Sequence, residues 1–563
     1  MERIEIGKEY SLTFVDHILD NIHGHIGLTS VEKEIECTSI FKRLLDISQL
    51  GLVNRVFPCA LHNRYTHSIG VMYVADQMSQ NMQLNSNERQ LLRLAGLLHD
   101  IGHYPLSHNV EQAYKDFYKN KRHITGPLKW DSYCDINIPP ILKESYNNDD
   151  DYKLKLSGSK NVHHEAIGAI IIKSNKEIRD KIKLNFITYS IDSKTYLNPF
   201  FVRDKKDEYT GDDIEKILDC VLDDIAGIVT GDIQKESRYF EKYSLFVQII
   251  HSEMDADNID YLLRDASFSG TTYGIMDMGV LINCLRSCRI ITPDNKINYI
   301  LGIAPKGIGC VEQFLMNRYL AYTQIVFNKY VSILEAMMSY VMAWFLFDID
   351  SGYKYRDIQE IAKMKDGDSR YLYFTDSYIL DFINHFNFST NNPSNLTKSI
   401  IRKLQSYLAF PVLENKEFVY VGTDYKRMCN DYQKDSYYND IQQLNAQICE
   451  ALEKNIDIDN AIKERAFCYR FEYKKITDQV PRSEFKKIRD KYNKGKGKIK
   501  GCFNYDYDRL ANGIPIIDNI ETIDYSSAYS SRGELPDLIV DTSKSALKDI
   551  YKLTYCVLRK YDI

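Results

Sequence analysis

NSNERQLLRLAGLLHDIGHYPLSH, residues 85–108, decides the reading of this chain. Asn85 stands where a side chain can accept the backbone N–H groups of a first helical turn, and Glu88, three residues on, can reach back as in a capping box. Leu91, Leu92, Leu94, Leu97 and Leu98 then recur at helical spacing and form an inward stripe. Gly102 and Pro105 predict the stop. A helix ending near His99-Asp100 places an imidazole and a carboxylate together at the end of a buried element. Successive side chains leave a helix about 100° apart, so the pair closes on one ion only if other helices supply further ligands.

Working outward, most of the first 350 residues read as helix, with apolar residues at three- and four-residue steps and little strand-like alternation. Helical patterning covers residues 165–182, 211–229, 244–263 and 309–347, the last as one or two buried helices at the centre of the core. Its Tyr and Met residues over 319–342 are expected to be core. Residues 113–160, rich in Tyr, Lys, Asn and Asp with Pro139-Pro140 and an Asn-Asp run at 147–151, read as an insertion with at most short helices. Past about residue 395 the units shorten to a helix over 395–408 and strand-like pieces at 417–421 and 467–473. The expected architecture is mainly α: a helical core over 1–350 and a smaller C-terminal helical and α+β lobe over 351–563. The Lys- and Gly-rich stretch 491–501 reads as a surface loop.

Composition narrows the class. With 563 residues, 44% hydrophobic and 27% charged, the chain has globular rather than disordered usage. A formal charge of −6 gives no basic field for a dedicated nucleic-acid binder. Twelve cysteines without a CxxC pair, a start without an apolar leader segment and no apolar run near 18 residues point to the cytoplasm and to no membrane span. Of 13 histidines, 11 fall in the first 164 residues, so chemistry is expected toward the N-terminal end.

Four segments hold what a metal-assisted phosphoryl reaction needs: Arg64-Tyr-Thr-His67, the block from His99-Asp100 through His103 to His108, His164-Glu165, and the acidic block 255–265. Two His and two Asp form a mixed N/O set that suits Zn, Fe, Mn or Ni more than Ca and leaves positions open for water and substrate. His67 and Asp257 can complete the His99-Asp100 pair. A lone His-Asp dipeptide is more often a surface or capping pair; the ordered set is what gives it weight.

That set resembles the HD-domain phosphohydrolases, and within them the deoxynucleoside triphosphate triphosphohydrolases related to the vertebrate sterile-alpha-motif and HD-domain protein, in a form without the sterile alpha motif. The similar text runs through residues 20–24, 41–44, Gln49-Leu50-Gly51, 57–60, 62–71, 97–103, 105–108, His164-Glu165 and 255–265, covering about residues 15–350. The resemblance implies an HD-domain helical core with His67, His99, Asp100 and Asp257 as metal ligands. It implies His108 as the general acid for the leaving 5′ oxygen with Glu111 orienting it, and His103 and His164 on the α-phosphate. Arg64 and Arg318 correspond to phosphate clamps, Gln49, Tyr261 and Asp265 to sugar contacts, and Leu50 to the side chain packed where a ribose 2′-OH would sit. The implied substrate is a dNTP, with a divalent transition metal at the His/Asp site, Mg on the phosphates, a possible nucleotide activator and a homo-oligomer. Similar enzymes serve nucleotide balance or antiviral dNTP depletion.

Departures from that pattern matter too. Cys37, Lys42 and Leu45 stand where guanine-activated members have Asp, Gln and Arg, Val280 replaces an Arg, Asn258 a phosphate-binding Lys, and Val326 a Tyr over the sugar. Two other readings compete: an HD phosphodiesterase or nuclease on cyclic or oligonucleotides, and a non-catalytic nucleotide-sensing module. Intact ligand residues speak against the latter.

Overall fold

The computed structural model describes residues 4–120, 162–191, 194–202, 209–231, 242–252, 254–291, 297–326, 328–348, 351–388 and 395–409, together with the strands 418–427, 468–472, 522–524 and 550–558. Helix Ser86–Leu98 carries the expected capping box: Asn85 accepts from the Asn87 and Glu88 amides (3.0 and 3.1 Å) while Glu88 accepts from the Asn85 amide (3.0 Å). Its leucines are fully buried against helix Arg64–Asn81. The helix ends at Leu98, earlier than Gly102 suggested. The His99 ring bonds the Gly96 carbonyl (2.8 Å), the acceptor that a further helical turn would have used.

Several long periodic stretches resolve into shorter helices, each restarted by a side-chain cap. Residues 165–182 become His164–Ser174 and Lys176–Ile182, with Asn175 accepting from the Ile178 amide (3.0 Å). Residues 244–263 become Tyr243–Ile250 and Ala256–Ser269, the second started by Asp255, which accepts from the Asn258 amide (2.6 Å). The long central run is Ile308–Ala321 and Lys329–Phe347, separated by a wide π-type turn at Tyr322–Val326. Met337, Met338 and Met342 are buried there, as core residues. Gly211–Thr230 matches its expected span almost to the residue.

Strands are more frequent in the first 350 residues than alternation suggested. Asp16–Asp20 and Gly24–Leu28 form an antiparallel hairpin, Thr188–Ile191, Lys194–Leu197 and Glu5–Ile6 a three-stranded sheet, and Leu285–Ile291 pairs with Ile297–Ile303. Pieces of two to seven residues are too short to show a period of two. The C-terminal strands expected at 417–421 and 467–473 are Phe418–Arg427 and Cys468–Glu472, which flank Ile550–Leu558 in an antiparallel sheet with an irregularity at Tyr555/Cys556. Thr522–Asp524 adds in parallel to Leu285–Ile291. The result is a predominantly helical protein with a smaller mixed α+β region.

Two expected boundaries move. The apolar cluster that contains Ile26, Leu94 and Trp344 also contains Tyr353, Tyr371, Phe374, Ile379 and Leu404, so the helical core runs past residue 350. Helix His108–Asn120 enters the stretch read as an insertion; residues 121–161, like the loop 491–501, lie outside the described residues. Among the described residues no helix is long and apolar enough to cross a membrane.

Candidate active site

Four side chains from three helices converge at one point. His67 enters from the first turn of helix Arg64–Asn81, begun by Asn63 accepting from the Thr66 amide (3.1 Å). His99 and Asp100 follow the end of Ser86–Leu98, and Asp257 comes from the first turn of Ala256–Ser269, where the helix dipole favours a carboxylate. His67 Nε2 lies 2.9 Å from Asp257 Oδ1 and 3.9 Å from Asp100 Oδ2; His99 Nε2 lies 3.5 Å from Asp100 Oδ1 and 4.0 Å from Asp257 Oδ1. Atoms that share an ion at about 2.1 Å sit roughly 3–3.5 Å apart, so small side-chain adjustments bring all four into range.

The tautomers are set from behind. His67 Nδ1 faces Asp260 Oδ2 (2.7 Å) and His99 Nδ1 the Gly96 carbonyl, while both Nε2 atoms are buried without a hydrogen-bond partner among the described residues. Ring nitrogens anchored on one side and orphaned on the other, beside two carboxylates, fit a divalent transition metal. Burial acts to lower the His67 pKa, but Asp257 and Asp260 outweigh it and raise it to about 9, so the pocket draws positive charge. Burial would raise the Asp100 pKa; Arg64, His99, His103 and His67 hold it well below the usual carboxylate range.

Asp260 had no assigned role in the sequence, although it lies three residues past Asp257 on the same helix. It is a buried hub. Its Oδ1 accepts from His23 Nε2 (2.6 Å), Arg264 grips both oxygens (2.9 and 3.0 Å), and Arg264 Nη1 continues to Asp20 (2.8 Å). Gly70 makes room for it, since a Cβ there would lie 1.9 Å from Asp260 Oδ1 and 2.5 Å from Arg264 Nη2.

A second group, His103, His108, Glu111 and His164, adjoins the first. The His103 ring stacks on His164 with centroids 4.4 Å apart and stands 5.2 Å from His108. Gly102 permits this: a Cβ on it would lie 2.1 Å from the Gly168 amide nitrogen and 2.3 Å from the His164 carbonyl oxygen, so only glycine lets the two segments touch. Buried Glu111 takes His108 Nδ1 (3.0 Å), His164 Nδ1 (3.2 Å), His163 Nδ1 (3.1 Å) and Lys115 Nζ (3.2 Å). Burial would raise the Glu111 pKa, but Lys115, His164 and His163 hold it well below the usual range. Burial likewise acts to lower His164, yet Glu165 and Glu111 raise it to about 9. Burial, reinforced by Arg64 and His164, keeps His103 well below its ordinary value and therefore neutral near pH 7. His108 is the open member, 72% of its side chain reaching solvent. His164 Nε2 lies 3.9 Å from Asp100 Oδ1 and joins the two groups.

The other predicted residues divide. Arg64 bonds Asp100 Oδ2 (2.6 Å), Ser107 Oγ (3.1 and 3.2 Å) and the Gln49 carbonyl (3.1 Å), so it props the Asp100 carboxylate. Gln49 is buried with Oε1 lacking a hydrogen-bond partner, and Leu50 packs on the small cluster Val53, Ala60, Ile325 and Val331. Asp265 accepts from His62 Nε2 (2.7 Å). Burial raises the Tyr261 pKa well above normal, and the Arg318 charge opposes that shift. Cys37, Lys42, Leu45 and Val280, where the guanine-activator pattern departs, are exposed.

Comparison with known proteins fits this geometry. Residues 64–126 match the HD domain family. An uncharacterized protein of Methanocaldococcus jannaschii is 25% identical over 412 residues, 73% of this chain and 64% of that protein. The deoxynucleoside triphosphate triphosphohydrolase SAMHD1 homolog of Dictyostelium discoideum is 27% identical over 260 residues, 45% of this chain and 36% of that protein. The chain thus spans less than two thirds of the length of these relatives. A hypothetical protein from Aquifex aeolicus shares the fold, with a TM-score of 0.52 and 21% identity over 97% of this chain and 96% of that one. Over residues 64–126 the chain is thus similar to the HD domain family, and its His/Asp cluster supports metal-dependent phosphohydrolase chemistry in general.

Proposed function

We propose that the protein hydrolyses a dNTP to deoxynucleoside and inorganic triphosphate. The observation that carries this reading is the junction of the two clusters: an anionic ligand pocket meets a wall of three histidines organised on one buried glutamate, with His164 Nε2 3.9 Å from Asp100. His67, His99, Asp100 and Asp257 would hold a divalent transition metal (Fe, Mn, Zn or Ni), which when bound supplies water activation and charge neutralisation at phosphate. Mg would accompany the substrate phosphates.

The chain's own residues account for the remainder. Water adds to the α-phosphorus, the bond from phosphorus to the 5′ oxygen breaks, and that oxygen takes a proton. His108, anchored through Nδ1 on Glu111, keeps Nε2 for that donation; burial, with Arg64 and His164, lowers its pKa below the ordinary histidine value, and the Glu111 charge opposes that shift. Cationic His164 pairs with an α-phosphate oxygen, and the neutral His103 ring stacks on the His164 ring and holds its orientation. Arg318 would pair with a phosphate, and Tyr261, Gln49, Leu50 and Asp265 would supply the sugar contacts; Arg64, bonded to Asp100, would act through that carboxylate. The name of the Dictyostelium relative supports the substrate.

Product analysis on a panel of dNTPs, with and without a second nucleotide and with particle size followed by light scattering, tests substrate, activation and homo-oligomer formation together. Triphosphate release is expected. Pyrophosphate release, or faster cleavage of a 3′–5′ linked dinucleotide, overturns the reading.

A further inference from the structure

The segment just before His108 is strained: Leu106 and Ser107 both adopt left-handed backbone conformations (φ 53° and 56°). Residues with a Cβ hold that conformation only when their surroundings enforce it. The restraint comes from a part of the chain some 270 residues later. We propose that Asp376, with Tyr371 beside it, is a positioning residue that fixes the catalytic turn 102–108 and the sugar-side segment 48–50 relative to one another.

The contacts are specific. Asp376 opens helix Asp376–Asn384 and is 8% exposed. Its Oδ1 accepts the Leu106 amide (2.6 Å) and its Oδ2 the Ser48 amide (2.8 Å), so one carboxylate spans both segments. Ser107 Oγ closes the bridge on the carbonyls of Ser48 (2.6 Å) and Gln49 (3.1 Å). Tyr371 OH donates to the Gly102 carbonyl (3.0 Å). Arg43 lies over the Tyr371 ring at 4.4 Å and links the Phe374 carbonyl (2.9 Å) to that of His103 (2.8 Å). Three backbone groups of the turn, Gly102 O, His103 O and Leu106 N, are therefore tied to 371–376. The bonds of Asp376 and Tyr371 go to the turn and to Ser48, and only Ser107 Oγ connects onward to Asp100, through Arg64, so the segment acts on position first. The Tyr371 hydroxyl bonds the turn and its ring carries Arg43, whereas the Asp376 carboxylate bonds both segments, and this difference makes the roles separable.

The kinetic arm of the test rests on the triphosphohydrolase reading; an amide-exchange arm does not. In Asp376→Asn the shape is kept, but an NH2 replaces one acceptor and faces a backbone N–H. Asp376→Asn is expected to lower kcat on the order of tenfold, the effect of about one lost hydrogen bond, and to raise KM. Tyr371→Phe is expected to lower kcat with KM unchanged. Metal content and unfolding temperature should stay near wild type in both. By hydrogen-exchange mass spectrometry, Asp376→Asn should exchange faster over 44–52 and 100–108, and Tyr371→Phe over 100–108 alone. A merely structural role would not produce that split. Wild-type kcat, KM and exchange in Asp376→Asn overturn the proposal. If that variant does not fold, Tyr371→Phe decides: faster exchange over 100–108 supports it and unchanged exchange overturns it. Should the wild type hydrolyse no dNTP, the functional reading fails and the exchange pattern alone decides, by the same criteria.

Discussion

Replacing Gly70 by Ala should harm the protein although alanine is the better helix former. Gly70 lies inside helix Arg64–Asn81, where Gly→Ala ordinarily stabilises by about 1 kcal/mol. Here the new Cβ would stand 1.9 Å from Asp260 Oδ1, 2.6 Å from Asp260 Cγ and 2.5 Å from Arg264 Nη2. Ordinary contact is about 3.5 Å, so the carboxylate must retreat by more than an ångström. That breaks its 2.7 Å contact with His67 Nδ1 or its grip on Arg264. Disrupting a buried ion pair costs about 3–5 kcal/mol, which leaves a net loss of roughly 2–4 kcal/mol after the helix gain. Losing the carboxylate behind a metal histidine lowers metal affinity on the order of 10- to 100-fold. Chelator competition with Mn or Zn and thermal unfolding of the metal-free protein read the two effects. Gly309→Ala, helical with open space around its Cβ, is the control. Unchanged metal affinity with an equal or higher unfolding temperature in Gly70→Ala would refute the reasoning.

Four further outcomes are expected. Metal must displace the proton that His67 holds with a pKa of about 9, so apparent affinity should rise on the order of tenfold per pH unit from 7 to 9, and a flat chelator-competition profile would contradict this. The same raised pKa stabilises the metal-free fold fully below the ordinary histidine value near 6.5, and that contribution fades as pH rises through 9; unfolding temperatures across the range check the sign. Glu111→Gln should lower kcat on the order of 100-fold or more with metal content unchanged, because His108 and His164 lose the charge that orients them. His99→Ala combined with Asp100→Ala should abolish turnover and metal binding while circular dichroism stays helical.

How much of this was legible depended on sequence distance. The Asn85 capping box, the Gly211–Thr230 helix and the buried methionines are local or periodic, and the sequence shows them directly. The candidate ligands His67, His99, Asp100 and Asp257 stand out because each sits in a short recognisable block, and the structure brings them together. Asp255 hides a break inside an apparently continuous helix, since apolar period runs on across the point where a carboxylate starts a new one. His23, Asp260, Tyr371 and Asp376 act through bonds to residues 237 to 328 positions away, and no window of sequence displays such a pairing. Arg64 is expected from its residue type to clamp a phosphate, and its bond to Asp100 is a further pairing that no window of sequence displays.

The passage of the core beyond residue 350 also has a consequence in time. Chains grow from the N-terminus at roughly 5–20 residues per second, so the 270 residues from Leu106 to Asp376 take about 14–54 s to appear. Until then every metal ligand has been synthesised, yet the turn carrying His108 lacks its distant restraint. Closing loops of that length favours late ordering of this contact. The nascent chain therefore acquires its candidate ligands early and the restraint on the 102–108 turn late, once the chain has folded back across some 270 residues.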